Sequence, residues 1–180
     1  MSTSLELFER LKEFVGFGPA DVDQLIALQP LMDRAGPDIT TRFYERLAEV
    51  PETEPLIRGR VGELQKTHLA WLKSLVGGVY DQAYFESRWR IGLAHVRVGL
   101  EPYWVEGVMS FLRTAGVSAI ASEFSNAEDV GRYASSYLKV CDIDLLVINL
   151  SYAEDRLERL AAFTGMKRAL IENIIRIPKK

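Results

Sequence analysis

The sequence has few of the residues and segments that mark common kinds of functional protein. One cysteine, Cys141, occurs among 180 residues, so no internal disulfide is available, which is typical of a reducing compartment. The strongest apolar stretch, residues 145–150, is interrupted by Asn149 and is far shorter than the roughly 18 residues that indicate a membrane span. The net charge of -3 provides no basic field for a nucleic-acid backbone. We therefore expect a soluble, cytoplasmic protein that binds no nucleic acid and has no membrane span.

Histidine is almost as scarce as cysteine, and the familiar catalytic motifs are absent. The two histidines, His68 and His95, limit any metal-binding or acid-base proposal to these positions. Neither belongs to a His-Glu-x-x-His pattern, and a zinc site needs about four clustered ligands. The sequence also contains no Gly-x-Ser-x-Gly motif, no phosphate-binding Gly-x-x-x-x-Gly-Lys motif and no Rossmann fingerprint. It therefore predicts neither a zinc site, nor a hydrolase, nor a nucleotide-binding enzyme.

The pattern of apolar residues predicts an all-α protein. Prolines and glycines separate long stretches of helical periodicity, and no period-two alternation is long enough to indicate a sheet. A length of 180 residues with 48% hydrophobic composition fits one domain with a substantial core. The expected helices cover residues 5–15, 21–32, a third starting at the Gly36-Pro37-Asp38 sequence, 61–75, and a fifth from an N-cap at Asp81 to Gly99. His95 lies in the last turn of the fifth helix.

Two long helices are expected in the C-terminal half. The first runs from Pro102 to about Phe124, and Ser125 with Glu128 fits a capping box for the second. No proline follows until Pro178, so the second helix is expected to be very long. Between residues 137 and 150 apolar side chains occupy more than one helical face, which indicates burial on several sides. In a chain this short, that pattern suggests a partner subunit.

A histidine near the end of a helix, in an all-α chain rich in aromatic residues, meets the main requirement for axial ligation of haem iron. Haem needs only one strong protein ligand, and its large apolar face favours a slot lined by aliphatic and aromatic side chains. Taken alone, this signal is weak, since a histidine in a mixed helix is more often a surface or hydrogen-bonded residue than a metal ligand.

Longer sequence runs resemble one known family. The run YDQAY at residues 80–84 and the run RWRIGLAHVRVGLEPYW at residues 88–104 resemble the proximal segment of the globin-coupled sensors and their protoglobin relatives. The resemblance extends to Phe43-Tyr44, to residues 64–71, and to Phe14-Val15-Gly16 with Leu25 and Pro30. It thus spans nearly the whole chain.

The resemblance implies a globin fold with an extra N-terminal helix. Residues 1–180 are then one globin sensor domain, with the extra helix in residues 1–16 and the globin core and long C-terminal helix in residues 17–177. The last two long helices are expected to form a homodimer interface. The implied cofactor is haem b, with His95 as proximal iron ligand and Tyr44 as hydrogen-bond donor to a bound gas. Leu64 and Thr67 face the gas-binding side, and the residues expected to contact the cofactor are Phe43, His68, Trp71, Ile91, Gly92, His95, Val98, Tyr103 and Val105.

Two positions need separate treatment. His68 lies on the helix that is expected to cover the gas-binding face, and it fits two roles: a sixth iron ligand that a gas must displace, or an imidazole at the edge of the pocket. Val105 departs from the family pattern, because many of these sensors have a tyrosine after the tryptophan at that place. Since valine cannot form a hydrogen bond, a signal through such a hydroxyl is not expected here.

The function that the resemblance implies is sensing of oxygen, carbon monoxide or nitric oxide at haem iron. In the family, ligand state is relayed through the homodimer to a C-terminal output module such as a diguanylate cyclase. No such module is present in these residues, so the chain is expected to be a truncated sensor domain or a stand-alone relative, and not itself an enzyme. Two alternatives stay open: a haem globin with nitric oxide dioxygenase or peroxidase activity, and a haem-free module for protein interaction.

Overall fold

The computed structural model describes residues 2–178, and all regular structure within that range is helical. This confirms the all-α prediction. The helices are α1 (Ser2–Phe14), α2 (Pro19–Ala27), α3 (Gln29–Ala48), α4 (Glu54–Ile57), α5 (Val61–Leu75), α6 (Gln82–Arg97), α7 (Pro102–Glu123), α8 (Ala127–Thr164) and α9 (Arg168–Arg176). Across residues 2–178, every helix is too short or too polar to cross a membrane.

The helix that carries His95 has the predicted ends. The carboxylate of Asp81 accepts a hydrogen bond from the backbone N–H of Tyr84 at 3.0 Å, which satisfies a free donor of the first turn of α6. Gly99, with φ +74, follows the helix end in a left-handed conformation that glycine adopts without steric cost. His95 therefore lies in the last turn of α6, as predicted.

The predicted start of the third helix is wrong. Instead of beginning at Gly36-Pro37-Asp38, α3 begins at Gln29 and contains Pro37, while the second helix ends at Ala27 and not near Met32. A proline inside a helix costs roughly 3 kcal/mol through its missing donor and its ring. Packing outweighs this cost, because Gly36 lies so close to α5 that a Cβ there would be 3.2 Å from Cδ2 of Leu72. The local proline signal could not reveal that contact.

Both predicted ends of the last helix also need correction. The N-cap of α8 is Asn126, whose side chain accepts from the N–H of Glu128, and not Ser125. The helix ends at Thr164, where Gly165 takes the left-handed conformation with φ +69, and a separate helix α9 follows. A glycine with positive φ satisfies the last carbonyl groups of a helix and turns the chain away.

Helix α8 is covered by helices of its own chain. It packs against α1, α2, α6 and α7, and α9 folds back onto it. Tyr137, Val140 and Cys141 are fully buried by these contacts, and α7 approaches so closely that a Cβ at Gly116 would collide with the ring of Tyr137. The apolar residues on several faces of α8 are thus explained within one chain. That pattern does not by itself indicate a partner subunit.

Candidate functional site

An apolar cavity of about 330 Å³ lies between α3, α5, α6 and α7, with the segment around α4 closing one side. Residues from α3 and α5 form one wall, which we call the distal wall and define as Phe43, Tyr44, His68 and Trp71. The wall facing the distal wall is formed by residues of α6 and α7 and by Ile148 of α8. Among the described residues that line the cavity, only Arg60 carries a permanent charge. Such a cavity suits a largely apolar molecule that carries a negatively charged group.

His95 lines this cavity from the last turn of α6. Burial lowers the pKa of its imidazole to about 4, so the ring is neutral near pH 7 and one ring nitrogen keeps a lone pair. Its Nδ1 is buried without a hydrogen-bond partner among the described residues. A buried polar atom without a partner is costly unless a ligand completes it. The position therefore fits an imidazole that binds a metal.

His68 lines the same cavity from α5. Its Nδ1 lies 2.9 Å from the hydroxyl of Thr40, while its Nε2 is buried and has no partner in the part of the chain that the structure describes. Burial lowers the pKa of this ring to about 4 as well. The ring packs between aromatic side chains, with centroid distances of 4.8 Å to Phe43 and 5.3 Å to Trp71. His68 is thus held in place on one nitrogen and unpaired on the other.

Tyr44 contributes a hydroxyl to the distal wall. Its side chain is buried, and burial raises its pKa to about 12, so the hydroxyl stays protonated and can donate. Among the side chains of residues 4–178 and the described backbone, the hydroxyl has no hydrogen-bond partner. The ring meets His68 edge-on, at a centroid distance of 6.0 Å. The hydroxyl of Tyr44 is therefore available as a donor at the cavity.

The structure brings most of the predicted site residues together around this one cavity. They come from α3, α5, α6 and α7 and from the turn after α6. Those that line it are Phe43, Tyr44, Leu64, Thr67, His68, Trp71, Ile91, His95, Val98 and Val105.

Two residues predicted to contact a cofactor lie elsewhere. Gly92 is on the side of α6 that crosses α8, and a Cβ there would collide with Oγ of Ser151, so this glycine allows two helices to approach. Tyr103 is 60% exposed and packs its ring on Trp104, which lines the cavity in its place. In the sequence, each of these residues is next to one that lines the cavity. Proximity in the sequence does not show which side of the helix a residue occupies.

Sequence reasoning missed a buried polar cluster behind the distal wall. Asp144 of α8 accepts hydrogen bonds from Trp71 of α5 and from Tyr84 and Arg88 of α6. The signal available was an acidic residue, Asp144, followed directly by the apolar run of residues 145–148 in α8. Its partners could not be identified, because they lie 56 to 73 residues away in the chain.

Among the side chains of residues 4–178, no group of three or more His, Cys, Asp or Glu is arranged to hold a bare metal ion. The two imidazoles of the cavity instead come singly from two helices. One or two imidazoles in an apolar slot are the donor set of a haem site.

Comparison with known proteins identifies the fold and the family. Residues 4–175 match the protoglobin family. The globin domain of the Geobacter sulfurreducens globin-coupled sensor superposes with a TM-score of 0.77 at 31% identity, covering 80% of this chain and 96% of that one. This likeness confirms the globin fold predicted from the sequence.

A curated relative is the heme-based aerotactic transducer HemAT of Halobacterium salinarum. It is 30% identical over 113 residues, which are 61% of this chain but 23% of that protein, so the chain corresponds to a small part of this relative. The family match covers nearly all of the described residues. The chain therefore belongs to the protoglobin family.

Proposed function

We propose that this chain binds haem b in the cavity between α3, α5, α6 and α7 and senses oxygen or another diatomic gas. One observation carries the proposal: two neutral imidazoles, His68 and His95, line the same apolar cavity, and each has a buried ring nitrogen without a partner among the described residues. Two relatives support it, since the Geobacter protein is a globin-coupled sensor and the Halobacterium protein is a heme-based transducer.

Different side chains would hold different parts of the cofactor. His95 would be the proximal iron ligand, and the guanidinium of Arg60 is suited to pair with the haem carboxylates. His68, whose Nε2 has no partner among the described residues, would also bind the iron when no gas is present. The lone cysteine, Cys141, is fully buried in α8 and does not line the cavity, so covalent attachment through sulfur has no residue to use. Non-covalent haem b fits this arrangement.

The distal wall would provide selectivity. When bound, haem supplies an iron atom that binds oxygen, carbon monoxide or nitric oxide. The free hydroxyl of Tyr44 would donate a hydrogen bond to oxygen, which on binding carries more negative charge than carbon monoxide does, in an environment that excludes water. Leu64 and Thr67 would limit the space beside the gas. If His68 moved to admit a gas, its packing against Phe43 and Trp71 in the distal wall would change.

A sensor must pass this change to a partner. We propose a homodimer in the cytoplasm, in which α7 and α8 of two copies meet, with the end of the chain connecting to a C-terminal output module. The coverage of the Halobacterium transducer supports only the further module, because the matched region is 23% of that protein. Residues 1–180 are then the sensor domain and not themselves an enzyme.

Absorption spectra of the purified ferrous protein under nitrogen, oxygen and carbon monoxide test the proposal, together with His95→Ala and the matched variant His68→Ala. We expect a Soret band that responds to both gases. His95→Ala should lose or strongly alter the band, whereas His68→Ala should keep haem and become five-coordinate without gas.

An unchanged spectrum in His95→Ala would overturn the assignment of the proximal ligand. Failure to take up added haem would favour the haem-free interaction module instead. Steady turnover of nitric oxide or peroxide with a simple reductant would favour the enzyme.

A further inference from the structure

A buried polar cluster lies behind the distal wall, where α5, α6 and α8 meet. At its centre is Asp144, which is 0% exposed in the middle of α8. Its carboxylate accepts hydrogen bonds from Trp71, Tyr84 and Arg88, and Arg88 is itself only 3% exposed. The proposed cofactor site uses none of these polar groups as ligands. They nevertheless connect all three helices.

The cluster is fully hydrogen-bonded. Nε1 of Trp71 donates to Oδ2 of Asp144 at 2.8 Å, and Nε of Arg88 lies 3.1 Å and 3.0 Å from the two carboxylate oxygens. Arg88 also donates to Oγ of Ser74 at 2.7 Å and lies over the ring of Tyr84, 3.6 Å from its centroid. Every neighbour that binds Asp144 is a donor, as a carboxylate requires. Satisfied buried networks of this kind fix the positions of their members.

Trp71 is the member of this cluster that reaches the cavity. Its ring packs against His68 at a centroid distance of 5.3 Å, and the hydroxyl of Thr40 holds His68 through Nδ1. A single side chain therefore separates the carboxylate in α8 from the imidazole in the distal wall. If the ring of His68 moves, Trp71 must move with it or lose its packing contact.

We propose that Asp144 positions His68 through Trp71, and that the hydrogen bond between Trp71 and Asp144 couples the distal wall to helix α8. The proposal rests on the function proposed above and deepens it by naming the contact through which ligand state leaves the cavity. Displacement of the Trp71 indole removes a donor from a fully buried carboxylate, which is unfavourable unless α8 shifts to follow it. Asp144 is a positioning residue, since it touches neither cofactor nor gas.

The first experiment needs no haem and so separates this proposal from the previous one. In cofactor-free protein with ¹⁵N-labelled tryptophan, the indole N–H of Trp71 should exchange slowly with solvent. Tyr84→Phe is the matched control, because it removes a different donor to Asp144. In this variant the indole N–H of Trp71 should still exchange slowly. Asp144→Asn should shift the Trp71 signal while those of Trp89 and Trp104 stay in place. An indole N–H of Trp71 that exchanges as fast as an exposed one would overturn the proposal.

The second experiment is a double-mutant cycle in the haem-loaded protein. Asp144→Asn should change the rate of carbon monoxide binding to the ferrous protein about fivefold, which corresponds to ~1 kcal/mol for one hydrogen bond. In the Trp71→Phe background the same substitution should have a much smaller effect, because the indole donor is already gone and only the contacts of Asp144 with Tyr84 and Arg88 are left to change. Equal changes in both backgrounds would show that Asp144 acts by another route and would overturn the proposal.

A third measurement does not depend on the folding of Asp144→Asn. Amide hydrogen exchange in residues 137–152 should differ between the gas-free and carbon monoxide forms of the natural protein. Trp71→Phe should abolish this difference, and Tyr84→Phe should retain it. A difference that persists in Trp71→Phe would show that α8 receives the signal by another contact, and would overturn the proposal.

Discussion

Nδ1 of His68 lies 2.9 Å from the hydroxyl of Thr40, and Nε2 of the same ring is buried without a partner among the described residues. Since burial lowers the pKa of this imidazole to about 4, the ring carries one proton near pH 7. If Nδ1 donates that proton to Thr40, the lone pair is at Nε2, where a metal can use it. A residue of α3 would thus set the tautomer of a potential ligand on α5.

Thr40→Val should therefore weaken sixth coordination by His68. Valine keeps the branched shape but removes the oxygen, so the ring loses the bond that orients it. We expect the ferrous, gas-free spectrum to move from six-coordinate low-spin toward five-coordinate high-spin. Thr41→Val is the control, because the exposed hydroxyl of Thr41 bonds the carbonyl oxygen of Pro37 and not the ring. If both variants gave the natural spectrum, Thr40 would have no role in ligation.

Tyr44→Phe should accelerate oxygen release roughly five- to tenfold, because a hydrogen bond contributes about 1–1.5 kcal/mol and 1.4 kcal/mol is tenfold in affinity. The hydroxyl has no hydrogen-bond partner among the described side chains of residues 4–178, so its removal leaves none of these groups unpaired. Stopped-flow measurement of oxygen dissociation gives the rate, and carbon monoxide release should change much less. Tyr103→Phe, at an exposed tyrosine outside the cavity, is the control. Equal oxygen release from Tyr44→Phe and the natural protein would contradict the assignment.

The sequence was most informative where local rules act alone. The N-cap at Asp81 and the glycine after α6 were visible as residue types, so the position of His95 in the last turn could be predicted. The internal Pro37 of α3 was misread as a start, because the contact of Gly36 with Leu72 that stabilises the longer helix is tertiary. The same limit applies to Asp144, since its partners are brought together only by the crossing of three helices.

Gly92→Ala should destabilise the protein and disturb α6. A Cβ at Gly92 would collide with Oγ of Ser151 and lie 2.9 Å from the carbonyl oxygen of Ile148, so the two helices must separate. Overpacking of this kind costs about 1–3 kcal/mol. Urea denaturation measures the free energy of unfolding.

Gly107→Ala provides the matched control for this prediction. A Cβ there would meet nothing within 4 Å, so the substitution should stabilise α7 by roughly 0.5–1 kcal/mol. If both alanine variants changed stability in the same direction, close packing of α6 on α8 would not be the reason for glycine at position 92.

Asp21 should stabilise the fold in a pH-dependent way. Burial raises the pKa of its carboxyl group, but hydrogen bonds from Ser136, the N–H of Gly18 and Lys139 outweigh burial, so the pKa lies below its ordinary value of 3.8. Such a group contributes stability that is present above its ordinary pKa and is lost as pH falls through the lowered value.

Asp21→Asn should consequently lower the free energy of unfolding at pH 7 by about 1–3 kcal/mol, measured by urea denaturation. The difference from the natural protein should shrink below the ordinary pKa of 3.8. Asp23→Asn, at an exposed neighbour on the same helix, is the control. A difference that stays constant from pH 7 to pH 3 would show that ionisation of Asp21 does not contribute.

Cys141 gives the chain a built-in reporter of global unfolding. Cys141 lies on α8, and its thiol is fully buried against the neighbouring helices. Burial raises the pKa of this thiol, so the reactive thiolate hardly forms in the folded state. A disulfide reagent such as DTNB can modify it only after the middle of α8 is exposed to solvent. Since the sequence has no second thiol, the rate at which the coloured product of that reaction appears measures how often Cys141 becomes exposed, with or without a cofactor.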